Sequence, residues 1–301
     1  MMTWPFALPE ALKLKGPLSW GLASLACFIV FLVLTFPYGP LQNRLLTELN
    51  RSSGWEVRAA DWSVGFPVAI EWRDVVLAGP TTIGAIPLGA VRTTFGVFQA
   101  FLGRLVIDYA IQLPGVAQAG AGRATGSLTA ASWSLRGPVA VNGHLQQMEL
   151  ATVLKPYVSR GTVQGDFMHR WDSAQGAHDV LKGEGTVKVE IKDLVVERIV
   201  AGTSSIPSLT FGLIQAALAC RDVACDVTEL KGDGVDGSFT AQGRVTLRQP
   251  LQQSLLDLTV TVVPGAGFAQ KAASFSLPPF QPGTPLTFKL VGAIMNARVA
   301  L

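Results

Sequence analysis

Histidine is scarce in this chain. His144, His169 and His178 are the three present, with no H-x-x-x-H pair and no carboxylate at metal-ligand spacing. Each therefore reads as a surface histidine, and no metal centre is assigned. No G-x-S-x-G elbow and no Walker sequence occurs, and the acidic residues are scattered. Gly232–Gly237 (GDGVDG) matches G-x-G-x-x-G by letter. A dinucleotide fingerprint needs a helix after it, however, and the next residues carry the strand pattern SFTAQGRVTL, so the segment predicts a hairpin turn. Met168–Asp172 (MHRWD) gathers four functional side-chain types, but nothing else in the sequence converges on it, and it reads as a loop or strand edge. No catalytic residue and no cofactor is assigned, and the chain reads as non-enzymatic. Concentrated basic charge is also missing: the net charge is +3 with Lys and Arg dispersed, which supplies no stripe for a phosphate backbone and argues against a nucleic-acid partner.

Cysteine is equally sparse, with three in the chain. Cys27 sits in an apolar run and reads as a small apolar residue. Cys220 and Cys225, five positions apart in ACRDVACD, predict a disulfide if the compartment is oxidising, the alternative being two reduced thiols that pack. Zinc would need further ligands, and none is near.

Charge is absent altogether between Lys15 and Arg44, and within that gap lies the longest apolar run, Leu18–Phe36. Its 19 residues would rise about 28 Å as a helix, close to the roughly 30 Å of a bilayer core. Trp20 and Tyr38 stand near its ends, where amphipathic rings favour the headgroup level. Lys13 and Lys15 outweigh Glu10 on the N-terminal side, so the positive-inside rule places that side in the cytoplasm. The organisation predicted is a cytoplasmic N-terminus (1–16), a transmembrane anchor (17–37), an amphipathic helix linker (38–54) and a periplasmic β-rich domain (55–301). A cleavable signal peptide is the competing reading; the run is long for one, and TFPYGP offers no small-x-small cleavage pattern. A buried core helix fits poorly, since the run is apolar on every face.

In the linker, Leu41, Leu45 and Leu49 recur at helical spacing before Gly54, predicting a short helix that either caps the domain or lies on the membrane. From Trp55 onward β-branched and aromatic residues alternate with polar ones between glycine and proline breaks, and the 31 glycines and 18 prolines favour strands and turns. Short helices are predicted at Thr93–Gly103, Gln147–Lys155 and Ser208–Ala219. The first and third share TFG-x-x-QA, which hints at an internal duplication. The firmest hairpin is GSFTAQGRVTLRQ with LLDLTVTVVP. There Phe239, Val245, Leu247, Leu256, Leu258, Val260 and Val262 fall on one face, either a dry core or a lipid groove. The fold class predicted is mainly β (α+β): a transmembrane helix, then a large curved antiparallel sheet with a few short amphipathic helices.

An N-terminal anchor running into LTFPYGPLQNRLLTELNRSSG, then GTVQGDF, EGTVKVEIKDL and DGVDGSFTAQGRVTLRQPLQQSLLDLTVTVVP, resembles the type II secretion system protein N (GspN) family, and more broadly the AsmA-like envelope proteins. The resemblance implies an accessory subunit of a type II secretion system. Its anchor would lie in the bacterial inner membrane and its β-rich body in the periplasm, meeting other membrane or pseudopilus subunits. The AsmA-like side implies instead a protein that binds or transfers phospholipid in a groove of the sheet. The family has no short active-site motif, and no functional residue is carried over from it.

Overall fold

The fold is taken from a computed structural model. It describes residues 56–65, 69–78, 85–113, 122–132, 137–155, 157–172, 182–197, 199–201, 204–206, 208–248, 253–274 and 281–300, together with residues 24, 27, 28, 31 and 47. Nearly all of the segment Leu18–Phe36, expected to be an anchor, and of 38–54, expected to be a helical linker, lies outside these residues. Ser24, Cys27, Phe28, Phe31 and Thr47 are helical and exposed. Among the described residues no helix is long and apolar enough to cross a membrane.

The chain from Gly54 forms one unit, built of strands taken in order. They are β1 Glu56–Arg58, β2 Asp61–Gly65, β3 Ala69–Arg73, β4 Val76–Ala78, β5 Ile86–Pro87, β6 Ala90–Phe95, β7 Leu105–Gln112, β8 Arg123–Ala130, β9 Pro138–Glu149 and β10 Val158–Asp172. Next come β11 Glu184–Val196, β12 Ile199–Ala201, β13 Ser204–Ile206, β14 Leu209–Arg221, β15 Ala224–Gly234, β16 Gly237–Thr246, β17 Leu255–Pro264, β18 Leu286–Ala293 and β19 Arg298–Ala300. Among the described residues of this unit, short α-helices interrupt them, α1 Val97–Phe101, α2 Leu150–Leu154 and α3 Ala266–Ser274, with one 3-10 turn at Ile294–Asn296.

Fourteen of these strands make one sheet in the order β19-β18-β17-β16-β15-β14-β11-β10-β9-β8-β7-β6-β3-β2. This is a meander with two excursions, since β4 and β5 leave to pair with β1, and β12 and β13 form a separate hairpin. Antiparallel neighbours need only short turns, which suits a chain rich in glycine. At the β14–β15 turn Asp222 takes a positive φ of 52°, a backbone region that Asp tolerates better than most residues.

The sheet has two distinct ends. At one lie α2, α3 and the β15–β16 turn, over a core in which Leu150, Leu154 and Phe239 pack against buried Val158, Leu194 and Ile214. Lys271 of α3 binds Asp236 of that turn at 2.6 Å and the Ser208 carbonyl at 2.9 Å. The other end carries α1 and the β14–β15 turn. There α1 begins at Gly96 and stops at Gly103, whose φ of 76° is the left-handed conformation that ends helices.

Several sequence expectations are corrected. Ser208–Ala219 is not a helix, because Leu209–Arg221 is β14, paired with β11 on one side and β15 on the other. Its run of alanines fits either structure, and strand pairing on both sides decides. Thr93–Phe95 belong to β6, so only Val97–Phe101 of Thr93–Gly103 is helical. Gln147–Glu149 extend β9, leaving α2 as a single short helix. The duplication loses its basis, since one copy is a strand end with a helix and the other a strand. MHRWD is no loop or sheet edge: it ends β10, paired with β9 and β11 as far as Arg170.

Candidate functional site: the apolar face of the sheet

Residues paired directly across an antiparallel ladder share a face. One row can therefore be followed through all fourteen strands. From β2 it runs Val64, Ile70, Thr93, Tyr109, Gly126, Gly143 and Phe167. From β11 it continues Val187, Leu218, Val227, Gly243, Leu258, Leu290 and Val299. Thr93 and the Tyr109 hydroxyl are its polar groups, and none of the fourteen is charged. At roughly 4.8 Å per strand, thirteen gaps give a contour of about 60 Å. The neighbouring row on this face, Trp62, Trp72, Val91, Ile111, Ala124, Leu145, Gly165, Val189, Ala216 and Leu230, is likewise uncharged.

Aromatic rings lie across the glycines of the first row. A Cβ on Gly126 would fall 2.5 Å from Tyr109 Oη, and one on Gly143 2.6 Å from the same atom and closer still to the Phe167 ring. Glycine is thus required there to seat the rings against the backbone. The Tyr109 hydroxyl donates to the Asn142 carbonyl at 2.7 Å, and burial pushes its pKa above 10.0.

The opposite face is polar. In one row stand Ser63, Glu71, Arg92, Ala110, Thr125, His144, Asp166, Lys188, Ala217 and Glu229. His144 Nδ1 lies 2.6 Å from Asp166 Oδ1. Further along the strands, Glu190 lies 3.1 Å from Lys192 Nζ and accepts from Gln164 at 2.9 Å and Gln215 at 3.3 Å. The Lys192 hydrogen bond, with those from both glutamines, holds its carboxyl below the ordinary range. A shallow cleft of about 740 Å³ opens over these groups. Within its lining His144 pairs with Asp166, and Gln164 and Gln215 with Glu190; no group of three or more His, Cys, Asp or Glu among the described residues could hold a metal.

The residues singled out from sequence fall together. Phe239 pairs with Val262, Val245 with Leu256, and Val260 with Ala241, all on the face that holds Leu258 in the long apolar row. Leu258 is buried, whereas Val260 and Val262 are half-buried. Phe239 meets Phe211 edge-on at 5.3 Å. Leu247 lies beyond β16, its N–H bonded to the Val223 carbonyl at 2.6 Å. Cys220 and Cys225 are directly paired across β14 and β15 and joined at an S–S distance of 2.05 Å. His169 and Trp171 stack at 5.3 Å on the apolar face, a contact that reading MHRWD as a loop does not anticipate. The polar ladder and the fourteen-strand row escape the sequence reading, because alternation gives each residue's face but not which strands are neighbours.

No family model, curated protein or solved structure matches this chain.

Proposed function

We propose that this chain is an inner-membrane-anchored envelope protein whose sheet curls into a groove that shelters acyl chains against its apolar face. One observation carries the reading: an uncharged row crosses fourteen strands over about 60 Å, while the helices among the described residues of this unit are all short. An ordinary antiparallel sheet buries such a face under a second layer. Here Phe167, Val187, Leu218 and Leu290 are half-buried only. Lipid tails suit a long uncharged track, since each buried methylene contributes about 0.8 kcal/mol without needing a polar partner. The run Leu18–Phe36 supplies the anchor, with the N-terminus cytoplasmic and the bulk periplasmic.

A second reading builds on the GspN resemblance, as a non-enzymatic subunit that helps a type II secretion system assemble. What favours it is that β2 ends the strand order of the large sheet among the described residues, next to β3, and the edge of a sheet is where a strand of another subunit adds. The two readings separate in one experiment: purify the full chain from membranes, extract it with organic solvent, and analyse for phospholipid. Stoichiometric phospholipid supports the groove. A lipid-free protein that crosslinks through β2 to secretion subunits overturns it.

A further inference from the structure

We infer that α1 is a membrane-inserting knob, which brings the disulfide end of the sheet onto the surface of a bilayer containing anionic phospholipid. Phe98 and Leu102 are 84% and 77% exposed, the two most exposed large apolar side chains among the described residues of the sheet-bearing unit. They stand four residues apart, and no charge occurs from Phe95 through Gly103. Gly96 and Gly103 bound the turn and set it off from the strands, so the two side chains are displayed by a short, defined element rather than left over from packing.

Charge identifies what the knob meets. At the same end of the sheet, a cleft of about 1080 Å³ is lined by Arg104, Arg170, Arg221 and Arg244. Its carboxylates are partly taken: Asp226 pairs with Arg244 at 2.7 Å and Glu184 with Arg221 at 3.9 Å, leaving Asp222 in the turn. Among the described residues Arg104 and Arg170 have no ion-pair partner. An apolar tip on the end of the sheet that also carries the Arg104 and Arg170 guanidinium groups suits an anionic bilayer, whose acyl region lies below its phosphates. A protein partner would have to answer the same exposed side chains with a preformed apolar pocket. The opposite end differs, since α2 and α3 cover a core there. The inference needs neither the anchor nor a carried lipid, and stands apart from the groove.

The test is depth quenching on the full chain. In a Cys27→Ser background, Phe98→Cys and, separately, Leu102→Cys carry a bimane label, with Val235→Cys, 74% exposed at the other end, as reference. All three positions are on the surface and leave the core untouched. Vesicles of phosphatidylethanolamine and phosphatidylglycerol with a doxyl-labelled acyl chain should quench emission at 98 and 102 by about half or more and leave 235 bright. Phosphatidylcholine vesicles should quench 98 less, and Arg104→Gln with Arg170→Gln should remove that difference. No quenching at 98 and 102, equal quenching at 235, or indifference to phosphatidylglycerol would each overturn the inference.

Discussion

Lys271→Met should unfasten α3 from the sheet at a measurable cost. The Asp236 side chain is 2% exposed; its Oδ2 takes Lys271 Nζ and the Thr210 N–H, each at 2.6 Å, and its Oδ1 has no partner. Breaking a buried pair by removing one member costs about 3–5 kcal/mol, because the other charge is left desolvated. Lys271 is 33% exposed, so water reaches the site and the lower end applies, about 3 kcal/mol. Asp236→Asn keeps an acceptor for Thr210 and removes the charge. In the Lys271→Met background it should recover about 2 kcal/mol, a coupling far outside simple additivity. Urea unfolding of the four proteins, followed by circular dichroism, measures the cycle. A loss below about 0.5 kcal/mol for Lys271→Met, or additive single costs, would refute the assignment of this contact as a buried charge pair.

Leu258→Asp places an unpaired charge on the buried side of β17 and should cost about 3 kcal/mol or more in the same unfolding assay. Thr259→Asp, directly opposite Lys289, should be tolerated, and equal losses would reverse the faces. Replacing Cys220 and Cys225 together by Ala opens a loop closed over a separation of five residues and should cost about 2 kcal/mol in chain entropy. Reductant should erase the difference between this variant and the parent; a difference that survives would place the effect in packing. For Tyr109 the folded pKa lies above the unfolded value near 10.0, so its contribution is fully present below that value and lost as pH rises through the folded pKa. Ultraviolet titration should show one phenol ionising late, and Tyr109→Phe should remove that step. An unchanged titration would place the late phenol elsewhere.

Legibility in the sequence depends on period. Phe239 to Val262 alternate strictly, and the hairpin β16–β17 can be read with its faces because one residue of slip would turn every apolar side chain outward. Ser208–Ala219 lacks that contrast. Alanines at 216, 217 and 219 fall on both faces of β14, and only pairing with two neighbours makes the segment a strand. Gln147 takes a positive φ of 48° beside a register shift in the β9–β10 ladder, so β9 runs to Glu149 where the sequence pattern starts a helix. The site is harder to read, because its rows are assembled from strands distant in the chain. No local pattern announces that Val64 and Val299 end one continuous row. The disulfide is visible as a spacing because its partners are local, five residues apart across one turn.

The most direct test of the groove uses a photo-crosslinking residue placed at Val187 and, in a second protein, at Lys188, its neighbour on the opposite face. After irradiation of cells producing the full chain, mass spectrometry of the purified protein should find phospholipid adducts at position 187 and none at 188. Protein adducts alone at 187, or lipid adducts at both positions alike, would contradict a sheet that holds acyl chains on its apolar side.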